Sequence, residues 1–263
     1  MPQTIRQFTV DAFTNQIFKG NPAAVCLLDN WLDDRILLHI AQENNLSETA
    51  FIVPQGDEFL LRYFTPKAEI DLCGHATLAS AFVLHHILAN PPENVVFHTQ
   101  VGKLSVQKQD DLFLMDFPVF ELQKLENVAQ IGAILGVMPK EVYLGRDLLC
   151  VFDDENVVKN YQADHAKIAQ LDGLLCHFTA QSTQFDCISR SFAPKLGIGE
   201  DPVCGSGHCH ILPYWAKVLG KNRLIGYQAS ARSGILHGEI KGERMILGGQ
   251  AVLFAKSEIY VNV

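Results

Sequence analysis

Arg62-Tyr63-Phe64-Thr65-Pro66-Lys67 returns as Arg190-Ser191-Phe192-Ala193-Pro194-Lys195, with four of six residues kept at a spacing of 128. Slightly further displaced, Leu72-Cys73-Gly74-His75 returns as Val203-Cys204-Gly205-Ser206. Each Cys-Gly step leads into a helical stretch, residues 76–88 in the first half and 208–219 in the second. Strand-forming residues follow, broken by Gly102 in one half and by Gly234 or Gly238 in the other. A shared order of strand, Cys-Gly, helix and strands is the mark of an internal duplication. Two similar domains meeting face to face would enclose a cleft, a favoured place for a small ligand.

Working outward, residues 7–13 alternate like a half-buried strand, and residues 23–28 form a short apolar run. Asp33 is placed to cap a helix running to Asn44, with Ile36, Leu37, Ile40 and Ala41 as its apolar stripe. Strands are predicted after Leu46, over residues 60–64, and two or three times between 94 and 117. Helices and strands do not alternate in the βα rhythm of a doubly wound sheet, so the fold class is α+β. A boundary at Pro118 separates domain 1–118 from domain 119–263, with the last strand free to return to the first domain.

Composition narrows the function. The 263 residues are 48% hydrophobic and 19% charged, enough to bury a core, which excludes general disorder. A formal charge of -8 argues against a nucleic-acid partner. No apolar run approaches the ~20 residues that span a bilayer, so no membrane partner is expected. The opening Met1-Pro2-Gln3-Thr4-Ile5-Arg6 lacks secretory character, and a cytoplasmic protein is expected. The seven cysteines are an odd number in a mid-sized chain, which favours reduced thiols packed as small hydrophobes.

Two of those thiols sit at the Cys-Gly turns. The first N–H groups of a helix lack internal partners, and the macrodipole adds partial positive charge there. Two such ends could bind an anion without any net basic charge, and a small carboxylate is the obvious one. Gly74, Gly205 and Gly207 allow close backbone approach. Cys73 and Cys204 would have their thiolates favoured below the free pKa of ~8.5, and so could exchange protons with opposite faces of one carbon. They could equally be small residues filling tight turns. Glu48 stands among small and apolar residues, either as an exposed turn residue or as a partly buried acid able to carry a proton. His75 and Asp201, beside the turns, could relay protons or simply cap.

Cys204, His208, Cys209 and His210 are rich in metal-ligand types, but no second ligand pair stands at zinc-site spacing, and no metal is expected. Gly197-Ile198-Gly199-Glu200-Asp201-Pro202 has proline where a dinucleotide fingerprint needs its third glycine. No cofactor is expected.

The chain resembles the phenazine-biosynthesis PhzF-like family, which shares the diaminopimelate epimerase fold. The resemblance rests on Phe13 with residues 20–25, Asn45-Leu46-Ser47-Glu48-Thr49-Ala50-Phe51, Asp71-Leu72-Cys73-Gly74-His75-Ala76-Thr77, residues 200–208, Pro213-Tyr214-Trp215 and residues 247–252. It implies two duplicated domains, each a barrel-like antiparallel sheet around a central helix, with the active site in the cleft between them. It further implies a cofactor-independent isomerase in which Glu48 moves a proton, His75 and Asp201 assist, and Ser47, Gly74, Gly205 and Ser206 bind the substrate. A homodimer is also implied. The family's phenazine enzyme lacks the cysteine pair, which diaminopimelate epimerases and proline racemases carry. With the glutamate and both cysteines present, a one-base shift through Glu48 and a two-cysteine racemase or epimerase both stay open. So does a non-catalytic module that binds a small molecule or partner.

Overall fold

The structure is a computed structural model and describes residues 3–261. The chain divides into two compact units, one comprising the chain to Asp116 plus residues from Gly248 on, the other Phe117–Leu247. The division falls beside Pro118, but the second unit stops at Leu247 rather than at the chain end. The final strand belongs with the first unit because its whole length pairs antiparallel with the opening strand, from Gln3↔Val261 to Ala12↔Ala251.

The first unit runs β1 (Gln3–Ala12), β2 (Asn21–Leu27), α1 (Asp34–Asn44), β3 (Glu48–Gln55), β4 (Glu58–Phe64), β5 (Glu69–Ile70), α2 (Gly74–Ile87), β6 (Asn94–Thr99), β7 (Gly102–Gln109) and β8 (Leu112–Pro118). The second runs β9 (Gln123–Lys124), α3 (Val128–Leu135), β10 (Glu141–Leu144), β11 (Leu148–Phe152), α4 (Glu155–Asn160), α5 (His165–Ile168), β12 (Cys176–Gln181), β13 (Cys187–Ala193), β14 (Ile198–Asp201), α6 (Gly205–Leu219), β15 (Arg223–Gln228), β16 (Gly234–Lys241) and β17 (Arg244–Gly249). The returning strand is β18 (Ala251–Val261).

The same pairing scheme occurs twice. In the first unit β1–β2 is antiparallel, β2–β3 parallel, β3–β4 and β4–β5 antiparallel, β4–β6 parallel and β6–β7 antiparallel. In the second, β10–β11, β11–β12, β12–β13, β13–β14, β13–β15 and β15–β16 repeat that succession. The repeated hexapeptide has the same task in both. Arg62 on β4 holds Glu69 on β5 through two bonds of 2.6 and 2.7 Å, and Arg190 on β13 holds Glu200 on β14 at 2.7 and 2.8 Å. Each guanidinium also lies over the phenylalanine two residues on, Phe64 at 5.2 Å and Phe192 at 5.1 Å. A fork-shaped donor matched to a carboxylate fixes the angle between two short strands, which explains why arginine stands there.

Each unit wraps its strands around one helix. α2 buries His75 through Ala81 together with Val83 and Leu84, so it is apolar on nearly all sides, as a fully surrounded helix must be. It packs on β1, β2 and β3, while α6 packs on β12, β13, β15 and β16. α1 covers the outside of the first sheet with Leu37, Ile40 and Ala41 against Ile5, Cys26, Phe51 and Phe64. Its start is the expected cap, Asp33 accepting a hydrogen bond from Arg35 N at 2.9 Å. A second core, centred on Phe152, Phe178 and Phe192, fills the space between α3 to α5 and the second sheet.

Candidate active site

In the first unit, three elements bring side chains to the start of α2. Gly20 adopts φ +66 where an added Cβ would lie 2.2 Å from Ala12 O, so only glycine makes this turn and lets β2 begin at Asn21. α1 closes with Asn45 in the left-handed region, donating to Ala41 O at 3.1 Å, and the chain bends through Ser47 into β3. The parallel register Ala23↔Glu48 then sets Glu48 beside the start of β2.

Glu48 Oε2 lies 3.1 Å from His75 Nε2. The two residues are 8% and 7% exposed, and neither of these atoms has an aligned hydrogen bond. On the other side of the ring, His75 Nδ1 lies 3.2 Å from Asn21 Nδ2 and 3.4 Å from Cys73 Sγ. The turn itself is pinned from below: Thr77 Oγ1 donates to Cys73 O at 2.6 Å and meets the buried Tyr63 hydroxyl at 2.6 Å.

Burial opposes protonation of His75 most strongly, but its interactions with Cys73 and Glu48 outweigh it and raise its pKa well above the ordinary imidazole value. Cys73 departs from the sequence expectation of a favoured thiolate. Burial, reinforced by the Glu48 charge, pushes its thiol up, and His75 and the Ala76 amide only partly offset this.

In the second unit, Cys204 caps α6, its Sγ accepting from Gly207 N at 3.3 Å and lying 3.6 Å from Ser206 Oγ. Gln228 accepts from Cys204 N at 2.9 Å and donates to Asp201 O at 2.6 Å, which ties β14, α6 and β15 together. Ser206 Oγ accepts from Arg146 Nη2 at 3.0 Å. Arg146 also grips Asp147, Nε to Oδ1 at 3.3 Å and Nη2 to Oδ2 at 3.1 Å. Asp147 Oδ2 lies 3.1 Å from His177 Nε2, whose Nδ1 lies 2.9 Å from Ser191 Oγ. Asp147, His177 and Ser191 are fully buried. Burial, the largest influence on Asp147, would raise its carboxyl, but His177 and then Arg146 hold it well below the usual carboxylate range.

Two local features of α6 make this arrangement fit. A Cβ on Gly207 would lie 2.5 Å from His177 Cε1, so the helix can approach the ring only as glycine. Pro213 offers no N–H to Cys209, whose carbonyl accepts from Phe120 N at 3.3 Å instead. Phe120 is thereby fixed with its ring stacked on His210 at 4.6 Å and under the Arg146 guanidinium at 5.2 Å.

Of the residues singled out from sequence, Glu48, Cys73, Gly74 and His75 come together in the first unit, with Ser47 half-buried just before β3. Cys204, Gly205 and Ser206 share the first turn of α6. Asp201 is half-buried at the end of β14, and its Oδ1 accepts from Val203 N at 3.1 Å, the bond of a local turn. Burial, followed by the charge of Asp201, pushes the Cys204 thiol well above its ordinary value, against the pull of Ser206 and the Gly207 amide. His208 is taken up structurally, Nδ1 lying 2.8 Å from Cys204 O and Nε2 3.2 Å from Ser189 Oγ. Sequence reading missed Asn21, Arg146, Asp147 and His177 as site residues. Asn21 stood in a quoted motif beside Gly20. The other three carry no local signal, because Asp147 and His177 are 30 residues apart and Arg146 reaches Ser206 across 60.

Comparison with known proteins places these features in company. The family model described as "Phenazine biosynthesis-like protein" matches residues 10–257. An uncharacterized isomerase of Pseudomonas aeruginosa is 45% identical over 257 residues, 97% of this chain and 98% of its own. The crystal structure of a PhzF-family phenazine biosynthesis protein from Enterococcus faecalis superposes with a TM-score of 0.96 at 46% identity, covering 98% of this chain and 100% of that one. The fold extends to a predicted epimerase of Pseudomonas aeruginosa, with a TM-score of 0.78 at 18% identity over 97% and 98% of the two chains.

Proposed function

This chain belongs to the phenazine biosynthesis-like protein family, and on that footing we propose that this isomerase moves a proton between carbons of a small carboxylate substrate, using its own side chains without a cofactor. The observation that carries the reading is the buried Glu48–His75 pair, 3.1 Å apart at the start of α2. The open N–H groups of the first helical turn, Gly74 among them, would hold the substrate carboxylate. Glu48 as carboxylate takes the proton from the carbon next to the activating group, and the electron pair of the broken C–H bond passes into that group. His75, protonated, steadies the developing negative charge. Glu48 then returns the same proton to a different carbon on the same face, so substrate and product have identical atoms and no electrons are gained or lost. General acid–base catalysis of this kind supplies about 10²–10⁴-fold. Ser47, just before β3, remains in the proposal as a substrate-binding residue.

The two-cysteine racemase reading is disfavoured by the raised thiols at Cys73 and Cys204, since a base must first lose its proton. Incubation in deuterated water with a panel of amino acids and cyclic unsaturated acids, read by mass spectrometry and chirality analysis, tests both. Glu48→Gln should lose about 10²–10⁴-fold in exchange rate while keeping its fold. If Glu48→Gln exchanges normally and Cys73→Ser or Cys204→Ser does not, the thiol mechanism replaces this one. Binding of a carboxylate with no exchange at any C–H would leave a binding module.

A further inference from the structure

Asn21 is fully buried, and its Nδ2 lies 3.2 Å from His75 Nδ1. Two neighbours in sequence hold it there. Gly20 makes the turn that opens β2, and Pro22 confines the residue before it to extended backbone, so Asn21 has little freedom of its own. The imidazole is therefore met at both nitrogens, by Asn21 at Nδ1 and by Glu48 Oε2 at 3.1 Å from Nε2. Cys73 Sγ, 3.4 Å from Nδ1, is a weak donor and acceptor and cannot take over from an amide.

The contact as it stands suits one form of the ring. An NH₂ group donates, so the Nδ1 it faces must be bare, and the ring hydrogen then sits on Nε2, toward Glu48. Yet against the opposition of burial, Cys73 from the turn before α2 and Glu48 from β3 draw the ring toward protonation. These are the titratable groups acting on it among the described residues, and the nearby Tyr63 hydroxyl meets Thr77 instead. A protonated ring carries hydrogen on both nitrogens, and an NH₂ group cannot accept the second. The amide oxygen can, and a half turn of the Asn21 amide exchanges nitrogen for oxygen at almost constant shape. Aspartate at this position would serve only the protonated ring, and leucine, of similar size, would serve neither form.

We propose that Asn21 is a positioning residue for His75, turning its amide with the ring's proton so that Nε2 faces Glu48 in both forms. The turning stands apart from the reaction. That it matters to turnover rests on the isomerase reading.

Isotope-labelled full-length protein, titrated by NMR, is the test. The His75 ring and the Asn21 side-chain NH₂ should shift with a common midpoint, the NH₂ signals being assigned by their absence in Asn21→Asp. Asn21→Asp should raise the His75 midpoint by about 1–3 pH units, as a nearby opposite charge does. Asn21→Leu should lower it by about one unit, because the bond to the charged ring is the stronger of the two that are lost. An amide that never turns gives the reverse, since its NH₂ opposes the protonated ring. In the deuterium-exchange assay Asn21→Leu should lower kcat by about 10²-fold with KM nearly unchanged. Circular dichroism checks each fold, and Asn21→Ala replaces Asn21→Leu if the latter does not fold. An NH₂ signal indifferent to the His75 midpoint, or a midpoint that rises in Asn21→Leu, overturns the turning amide; an unchanged kcat overturns the positioning role. If the wild type exchanges no substrate, the isomerase reading fails, and the NMR titrations still decide the turning amide.

Discussion

Gly207→Ala tests how tightly the second unit is built around His177. The added methyl would stand 2.5 Å from Cε1, 2.9 Å from Nδ1 and 3.0 Å from Nε2 of that ring. Carbon atoms rest about 3.5–4.0 Å apart, so the overlap is about 1 Å. The ring cannot swing aside without loss, since it is fully buried and held at Ser191 on one nitrogen and Asp147 on the other. Overpacking costs about 1–3 kcal/mol, and a bond to the charged Asp147 carries about 1.5–3 kcal/mol if it breaks. Alanine recovers about 1 kcal/mol of helix propensity. The net expectation is a loss of about 2–4 kcal/mol, read as a lower urea midpoint at an unchanged slope. The cause is isolated by repeating the substitution in a His177→Ala background, where the space is open and most of the cost should vanish. A Gly207→Ala protein as stable as wild type, or one equally destabilised in both backgrounds, would refute the reasoning.

Asp147→Asn should destabilise by about 3–5 kcal/mol, because it strips the charge that faces both His177 and Arg146; urea unfolding at neutral pH measures it. Mild acid should weaken the fold through two buried histidines. Burial holds His208 and His210 down to about 4, so the unfolded chain binds their protons first; the stability these two rings contribute is full above ~6.5 and falls by a few kcal/mol in total as pH drops toward ~4. A flat stability profile over that window would contradict the burial of these rings. Arg62→Lys and Arg190→Lys should each cost about 1 kcal/mol, since lysine keeps the charge but loses the second bond to Glu69 or Glu200; unequal costs would show that the repeats have diverged in this role.

Much of this architecture was legible because duplication writes itself twice. The hexapeptide pair and the Cys-Gly pair located both central helices, and Asp33, with the stripe Leu37, Ile40 and Ala41, marked α1. Residues 119–187 gave no such reading, although Asp154 and Asp164 do cap α4 and α5, accepting from Asn156 N at 2.8 Å and Lys167 N at 3.1 Å. Those helices are short, and a cap without a long apolar period behind it is indistinguishable from a turn. Glu48 was recognisable as an isolated acid among apolar neighbours, but its burial depends on β3 lying parallel to β2, a pairing no local pattern announces.

Sequence alone determined the repeat, the α+β class, the two helix starts and the residue types offered there, because periodicity, capping and turn chemistry act over a few neighbouring positions. Tertiary structure decided which of those residues do anything together. It set His75 between Glu48 and Cys73 and gave Asp147 its distant partners. It also reversed the expected ease of ionising Cys73 and Cys204, since the dipole favouring a thiolate is local to one helix turn while the desolvation opposing it comes from everything packed around the sulfur.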